Sequence, residues 1–245
     1  DTICEGDTVS FTDQSGSSVI SWDWTFEGGT PPTSTDQNPT VTYNNEGVFD
    51  VTLEVSDGSA TNSVTYADYI AVNTVPGQPQ MPIGEIETCT GQWYQYDTEI
   101  VEDADTYEWA VDPVEAGSIS GNATFCVFTA SDDWTGIYYI SVRAMNSCGG
   151  GQWSDALEAT LSSGPDVFQL SEGGAYCEGG DGIEIILDGS ETEVDYELFI
   201  DDTGTGIILT GTGDPLNFGY QTEEGTYTVI ATASACSIEM NGQAA

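Results

Sequence analysis

The sequence predicts an all-β protein, a tandem array of three Ig-like β-sandwich domains, on three observations. Helical periodicity is absent along the 245 residues, apolar residues alternate with polar ones at i, i+2, and clusters of Gly, Asn, Asp and Pro interrupt that alternation about every ten residues. A composition of 38% hydrophobic and 11% aromatic residues separates the chain from a disordered acidic polymer, which lacks the apolar material to build a core.

The strands follow in order. Val9 and Phe11, then Trp22, Trp24 and Phe26, then Val41 and Tyr43, then Val51, Leu53 and Val55 keep the two-residue period, so each set is expected to face one core. Gly28-Gly29-Thr30-Pro31-Pro32 and Asn44-Asn45-Glu46-Gly47 separate them as turns, because Gly supplies φ > 0 and Pro cannot join a central ladder. This run ends at Tyr69-Ile70-Ala71-Val72, and Val75-Pro76-Gly77-Gln78-Pro79 reads as a short stiff linker. A second unit has Tyr94 and Tyr96, Tyr107 and Trp109, Phe125 and Val127, Tyr139 to Ala144, and Leu157 to Leu161, closed by Ser162-Ser163-Gly164-Pro165. A third runs from Val167 through Ile183 to Leu187, Tyr196 to Ile200, Ile207 to Leu209, Tyr227 to Ala231, and Cys236 onward. The expected domains are therefore residues 1–74, 76–162 and 165–245.

Charge narrows the function. There are 42 Asp plus Glu, one Lys or Arg and no His, a formal net charge of −41. Without His there is no Ser/His or Cys/His nucleophile and no imidazole metal ligand; with Arg143 as the sole cation there is neither a lysine Schiff base nor a basic phosphate cradle. Nucleic acid and anionic membrane surfaces are excluded as partners because both require clustered positive charge. The acids number 12, 14 and 16 in the three units, which points to a solvated coat over folded domains rather than an acidic tail. No apolar run approaches the ~18 residues of a membrane helix, and the absence of an initiator Met or signal peptide reads as a processed or excised segment of something longer. Carboxylate pairs capable of glycosidase work need a cleft with a fixed separation, and among so many acids a chance pair is expected, so the chain is read as no enzyme.

Trp22-Asp23-Trp24-Thr25-Phe26-Glu27-Gly28-Gly29-Thr30-Pro31, followed by Gln37-Asn38-Pro39-Thr40-Val41-Thr42-Tyr43, Gly47-Val48-Phe49-Asp50-Val51-Thr52-Leu53 and Asp68-Tyr69-Ile70-Ala71-Val72, closely resembles a PKD domain over residues 1 to about 74. It departs at Glu27-Gly28-Gly29, where Gly-Asp-Gly is common; this variant resembles PKD domains of secreted Bacteroidota proteins. Tyr107-Glu108-Trp109, Ala116-Gly117-Ser118-Ile119 and Asn146-Ser147-Cys148-Gly149 look like the Ig-like domains that follow PKD modules in such proteins. Tyr176-Cys177-Glu178-Gly179-Gly180 and Gly225-Thr226-Tyr227-Thr228-Val229 are similar, more weakly, to repeats in their large surface proteins. The resemblance implies export by the type IX route, an extracellular, cell-surface or secreted location, and service as a stalk, an adhesin or an accessory region of a secreted enzyme.

Six cysteines in such a chain point to disulfides. Cys89 and Cys148 lie 59 residues apart, as do Cys177 and Cys236, and pairing within each domain is the plain reading. In an Ig-type sandwich, however, those positions fall at opposite ends, farther than the ~7 Å between Cα atoms that a bridge tolerates. The alternative staples neighbours, Cys4 to Cys148 and Cys89 to Cys236, leaving Cys177 for a following module or subunit. Cys126 has no role in either scheme.

Acidic turns offer oxygen ligands for Ca²⁺ at Asp97, Asp103 and Asp105, at Asp132 and Asp133, and at Asp201 and Asp202, although no EF-hand spacing is present. Trp93, Trp134 and Trp153 are candidates for a sugar-stacking platform against the plainer reading of partial burial under loops, whereas Trp22, Trp24 and Trp109 read as core. Asp1-Thr2-Ile3 and Asp7-Thr8-Val9 resemble the short O-glycosylation motif of Bacteroidota, making Thr2 and Thr8 candidate acceptors. Two functions compete: a non-catalytic structural or adhesive array contacting other modules or identical subunits end to end, and a glycan-binding accessory region of a secreted hydrolase. The first predicted core strand begins at Thr8, so the first sandwich is expected to lack its edge strand and to need another polypeptide there.

Overall fold

The computed structural model describes residues 1–177 and 179–244. Apart from one 3₁₀ turn at Val114–Ala116, its regular structure is all strand, arranged as three pairs of sheets. The chain resolves into two compact units: residues 1–79 with 99–108 and 143–153, and the remainder.

In the first unit the strands are β1 (Thr2–Cys4), β2 (Thr8–Ser10), β3 (Ser21–Phe26), β4 (Gly29–Thr30), β5 (Thr33–Ser34), β6 (Thr40–Tyr43), β7 (Gly47–Ser56) and β8 (Thr61–Asn73). They form the sheets β1-β8-β7-β3-β5 and β2-β6-β4. The period of two on β3 turns Trp24 and Phe26 inward while Ser21, Asp23 and Thr25 face solvent. Trp24 stacks on Phe26 at 5.7 Å, and Phe11 lies 4.7 Å from Phe26. Val41, Tyr43, Val51 and Ile70 complete the core, each apolar side chain contributing about 1.5–3 kcal/mol through burial. Trp22 packs against this core only partly buried. The Gly28-Gly29 turn is dictated by packing: Gly28 has φ +67° with the Phe49 ring where a Cβ would stand, and a Cβ on Gly29 would sit 2.6 Å from Val41 Cγ1.

The expected open edge is not there. β1 runs parallel to β8, pairing Thr2 with Ala71, Ile3 with Val72 and Cys4 with Asn73, and the Asp1 ammonium donates to the Tyr69 carbonyl at 2.7 Å. Residues 2–4 are themselves the missing strand, too short to show a period before the Glu5-Gly6 turn.

Next come β9 (Glu87–Cys89), β10 (Trp93–Asp97), β11 (Thr106–Asp112), β12 (Gly117–Ser120), β13 (Phe125–Ala130), β14 (Gly136–Asn146), β15 (Gly149–Gly150) and β16 (Leu157–Ser162). Their sheets are β10-β13-β12 and β11-β14-β16-β9, with β15 on β14. The inward phase of β13 is opposite to that expected: Cys126, Phe128 and Ala130 are buried and Phe125 is 47% exposed. Pairing with β10 decides this, since Tyr96 lies directly opposite Cys126 and paired residues share a face. Likewise Tyr138, Ile140, Val142 and Ala144 point inward from β14 and Tyr139 points out. A buried hydroxyl chain joins these elements: Tyr96 Oη and Tyr138 Oη are 2.7 Å apart, Tyr138 Oη is 3.0 Å from Thr88 Oγ1, Thr88 donates to the Thr160 carbonyl, and Tyr96 donates to that of Glu85.

The last strands are β17 (Ile183–Leu187), β18 (Asp195–Ile200), β19 (Thr203–Thr210), β20 (Leu216–Gln221), β21 (Tyr227–Ala233) and β22 (Cys236–Glu239), in sheets β17-β20 and β19-β18-β21-β22. Ile185, Leu187, Tyr196, Leu198, Phe218 and Val229 form their core. On β20 Leu216, Phe218 and Tyr220 keep the two-residue period, but only Leu216 and Phe218 are buried and Tyr220 is 60% exposed.

Candidate functional site

The disulfides are the most constrained feature of the chain. Cys4 bonds Cys148 with Cα atoms 5.4 Å apart, and Cys89 bonds Cys236 at 5.6 Å, so the staple pairing is the one formed and intradomain pairing is not. Local structure presents each sulfur. Cys4 and Cys89 end short strands that run parallel to a long one, opposite Asn73 and Ser162 respectively. Each then enters a turn with a left-handed glycine, Gly6 at φ +87° and Gly91 at +70°. Their partners ride on hairpins: Cys148 within the β14–β15 turn, Cys236 on the first residue after the β21–β22 turn. Asn146 steadies the first hairpin by donating to the Thr74 carbonyl at 2.8 Å while its own carbonyl oxygen accepts the Cys148 N–H. Cys126 is a free thiol wholly inside the core, and burial pushes its pKa up to about 12, so it acts as a small apolar side chain. Cys177 is free and exposed.

The candidate calcium ligands lie at strand ends and in turns. Asp97 ends β10 and accepts both oxygens' worth of hydrogen bonding from the Gln95 amide. Asp103 adopts φ +60°, and Asp105 donates its N–H to the Met145 carbonyl. Asp132 and Asp133 follow β13, where Ser131 Oγ accepts the Asp133 N–H. Asp201 and Asp202 form the left-handed β18–β19 turn, and the Asp201 carboxylate accepts the Thr226 N–H at 2.9 Å. Among the described residues no group of three or more His, Cys, Asp or Glu is placed to hold a metal ion. The net charge of −41 is spread along the whole sequence, and its self-repulsion opposes the folded state. Raising NaCl from about 0.01 to 0.15 M, which shortens the Debye length from about 30 to 8 Å, is expected to raise the melting midpoint by several degrees. Melts in CaCl₂ at matched ionic strength, with and without chelator, separate this screening from a specific Ca²⁺ site, which would add a rise beyond that of NaCl.

Of the three candidate tryptophans, Trp93 and Trp134 fall in one compact unit and Trp153 in the other. Trp93 on β10 is 69% exposed and Trp134 is half-buried against Gly136, with no aromatic pair among the described residues joining them. Trp153, in the other unit, lies under the Arg143 guanidinium at 4.8 Å from its ring centroid. A different aromatic cleft occurs in the first sandwich: about 520 Å³, lined by Phe11, Trp24, Tyr66 and Tyr69, with Gln14 and Ser15 among its polar residues. Tyr66 and Tyr69 are exposed and 5.4 Å apart. Their spacing of three hides them from a period-two reading. They reach one cleft because the β7–β8 register shifts between Phe49 and Val51 and Asp68 takes φ +52°. Thr2 and Thr8 are exposed on β1 and β2, the Thr8 hydroxyl 3.2 Å from that of Thr42.

Arg143 sits on β14, its Nη2 2.5 Å and its Nε 2.7 Å from Glu108 Oε2. As the only Lys or Arg, it is the only trypsin target, and cleavage needs an extended backbone released from the sheet. The native chain is expected to survive trypsin, whereas heating through the melt should give a single cut whose two fragments separate only on a reducing gel, because both disulfides span Arg143.

Sheet pairs of this kind define a tandem array of Ig-like β-sandwiches. Residues 1–72 match the PKD domain, and residues 75–159 match the PKD-like domain. No curated protein sequence matches the chain. Among solved structures it is similar to the FN1–FN3 domains of chicken CNTN1, at 9% identity and TM-score 0.31 over 98% of this chain and 92% of that one. The ICAM-5 D1–D4 ectodomain fragment matches at 14% identity and TM-score 0.39, over 99% and 72%. SGBP-B of the Bacteroides ovatus mixed-linkage glucan utilization locus, solved with a mixed-linkage heptasaccharide, matches at 12% and 0.24, over 98% of this chain and 60% of that one. PKD and Ig-like domains are typically non-catalytic extracellular modules with structural or binding roles, and no helix among the described residues is long and apolar enough to cross a membrane.

Proposed function

We propose that the chain is a non-catalytic structural or adhesive segment of a bacterial cell-surface protein, built of domains 1–74, 76–162 and 165–245 and serving as a stalk, adhesin array or fibre subunit. A Bacteroidota parent exported by the type IX route is the source this reading favours, on the strength of the Glu27-Gly28-Gly29 turn. The observation that carries the function is the pair of disulfides, each joining the end of a short strand to a distant hairpin about 145 residues along the chain. Such long-range covalent ties suit an oxidising, protease-exposed setting and a load-bearing role. Deleting this segment from its parent gene is expected to abolish cell adhesion or surface fibres severalfold beyond any change in secreted hydrolase activity, scored by attachment assays and electron microscopy.

A second reading, glycan binding on behalf of a secreted hydrolase, is favoured by the cleft of Phe11, Trp24, Tyr66 and Tyr69, since aromatic faces stack on the apolar faces of sugar rings. Loss of polysaccharide retention on deletion, with attachment unchanged, would select it.

A further inference from the structure

The one cationic side chain of the sequence shows how this protein holds positive charge. Arg143 sets its guanidinium 4.8 Å from the centroid of the Trp153 ring, with Nε 2.7 Å from the Glu108 carboxylate. The ring attracts the cation through its quadrupole and the carboxylate through its charge. The cleft of the first sandwich repeats that pair of partners on a larger scale. Phe11, Trp24, Tyr66 and Tyr69 line it together with Asp1. Phe11 lies 5.8 Å from Trp24 and 6.5 Å from Tyr69, which lies 5.4 Å from Tyr66, and successive rings are tilted by 45°, 37° and 42°, so the aromatic wall is faceted. Trp24 donates its N–H to the Asp36 carbonyl and offers the cleft a ring without a donor. The lining residues Gln14 and Ser15 are held in place through Asp13, whose carboxylate accepts the Ser15 N–H at 2.9 Å and the Gln37 amide at 3.1 Å. Burial opposes the ionisation of Asp13, but these bonds outweigh it and hold its pKa down at about 2, so its charge persists beside the cleft. No lining residue is Lys or Arg, and the Asp1 ammonium is engaged by the Tyr69 carbonyl at 2.7 Å.

We propose that this cleft is a subsite for an amino sugar, a glycan segment whose protonated amino groups lie against the faces of Tyr66 and Tyr69 and pair with the Asp1 carboxylate. This rests on the glycan reading of the cleft above and adds the charge of the ligand to it. Sugar rings of any kind can stack on the four aromatics, so stacking alone does not choose among their substituents. Charge does. A uronate or sulfated chain meets a net charge of −41 with no cationic side chain in the cleft to receive it, and is repelled. A neutral chain gains the stacking only. An amino sugar gains the stacking, the cation–π attraction of a ring face within about 6 Å, and a charge-assisted hydrogen bond to a carboxylate. Size separates it from a simple amine: about 520 Å³ falls within the about 300–1,000 Å³ of small-ligand sites and exceeds what one ammonium group fills.

Isothermal titration of the full chain decides this, at mildly acidic pH to keep the sugar amino groups protonated and in about 0.15 M NaCl to screen distant charges. The probes are the β-1,4-linked glucosamine tetramer, cellotetraose, which carries hydroxyls in place of the amino groups, and tetragalacturonate. The glucosamine tetramer is expected to bind about tenfold more tightly than cellotetraose, and tetragalacturonate not at all. Tyr66 and Tyr69 are 55% and 38% exposed, so replacing both by Ala should spare the fold, as an unchanged melting midpoint would verify. That double variant keeps the net charge and is expected to bind the glucosamine tetramer about tenfold more weakly, whereas Tyr66→Phe with Tyr69→Phe retains the rings and the binding. Asp1→Asn should cut the preference over cellotetraose severalfold. Glucosamine binding that survives the loss of both rings is the diffuse attraction of a polycation to an acidic chain, and overturns the subsite. Equal, ring-dependent binding of cellotetraose overturns the preference for amino groups and leaves the glycan reading standing. Absence of binding by all three tetrasaccharides overturns both.

Discussion

Replacing Cys89 and Cys236 together by Ser is expected to lower the stability of the second unit by about 2–5 kcal/mol and its melting midpoint by roughly 10 °C. The bond closes a loop of 147 residues, and in the chain-entropy picture a cross-link that long removes about 5 kcal/mol of unfolded-state freedom, the upper end of what a disulfide supplies. Cys4 with Cys148 closes 144 residues and should behave alike in the first unit. Near-UV circular dichroism melts of the double variants, beside the native chain with and without a phosphine reductant, measure both effects. A midpoint unchanged by reduction would show that the sheets hold without the staples.

Phe128→Ala is the single substitution expected to cost most, about 3–5 kcal/mol. Phe128 is wholly buried, stacks on Tyr138 at 4.8 Å and meets Tyr96 edge-on at 6.3 Å. Truncation therefore opens a cavity beneath the hydroxyl chain of Tyr96, Tyr138 and Thr88, which cannot collapse without breaking its hydrogen bonds. Tyr138→Phe keeps the ring and removes the one proton that Tyr138 can donate to Tyr96 or Thr88, whose own protons go to the Glu85 and Thr160 carbonyls, at about 1–3 kcal/mol. Denaturant midpoints of the two variants should fall in that order; the reverse order would place the weight of this core on its polar chain.

What the residues revealed in advance depended on how much chain expressed a period. β3 was legible because three aromatic residues alternate with Ser, Asp and Thr, leaving one choice of face. β13 was legible as a strand but not in phase, since Phe125-Cys126-Val127-Phe128 is apolar on both faces and only its register against β10 selects one. β1 has three residues and no measurable period; its existence depends on the parallel edge that β8 offers some seventy residues later. The cysteine pairing stayed open for a related reason: spacing counts residues along the chain, while a bridge depends on which strand ends meet. The Tyr66–Tyr69 cleft was hidden by a bulge, which breaks the alternation used to find faces.

The staples also set how far the molecule can be drawn out under tension. Force entering at Asp1 reaches Cys4 and crosses directly to Cys148, so the residues between need not be pulled straight. From Cys148 two routes lead on to Cys236: forward along the chain, or back 59 residues to Cys89 and across the second bond. The shorter route limits extension. Its covalent path is only about seventy residues, roughly 250 Å at about 3.5 Å per residue, against roughly 860 Å for the reduced chain. A tether built of such segments would behave as a leash of fixed reach whose slack is released by thiols rather than by load.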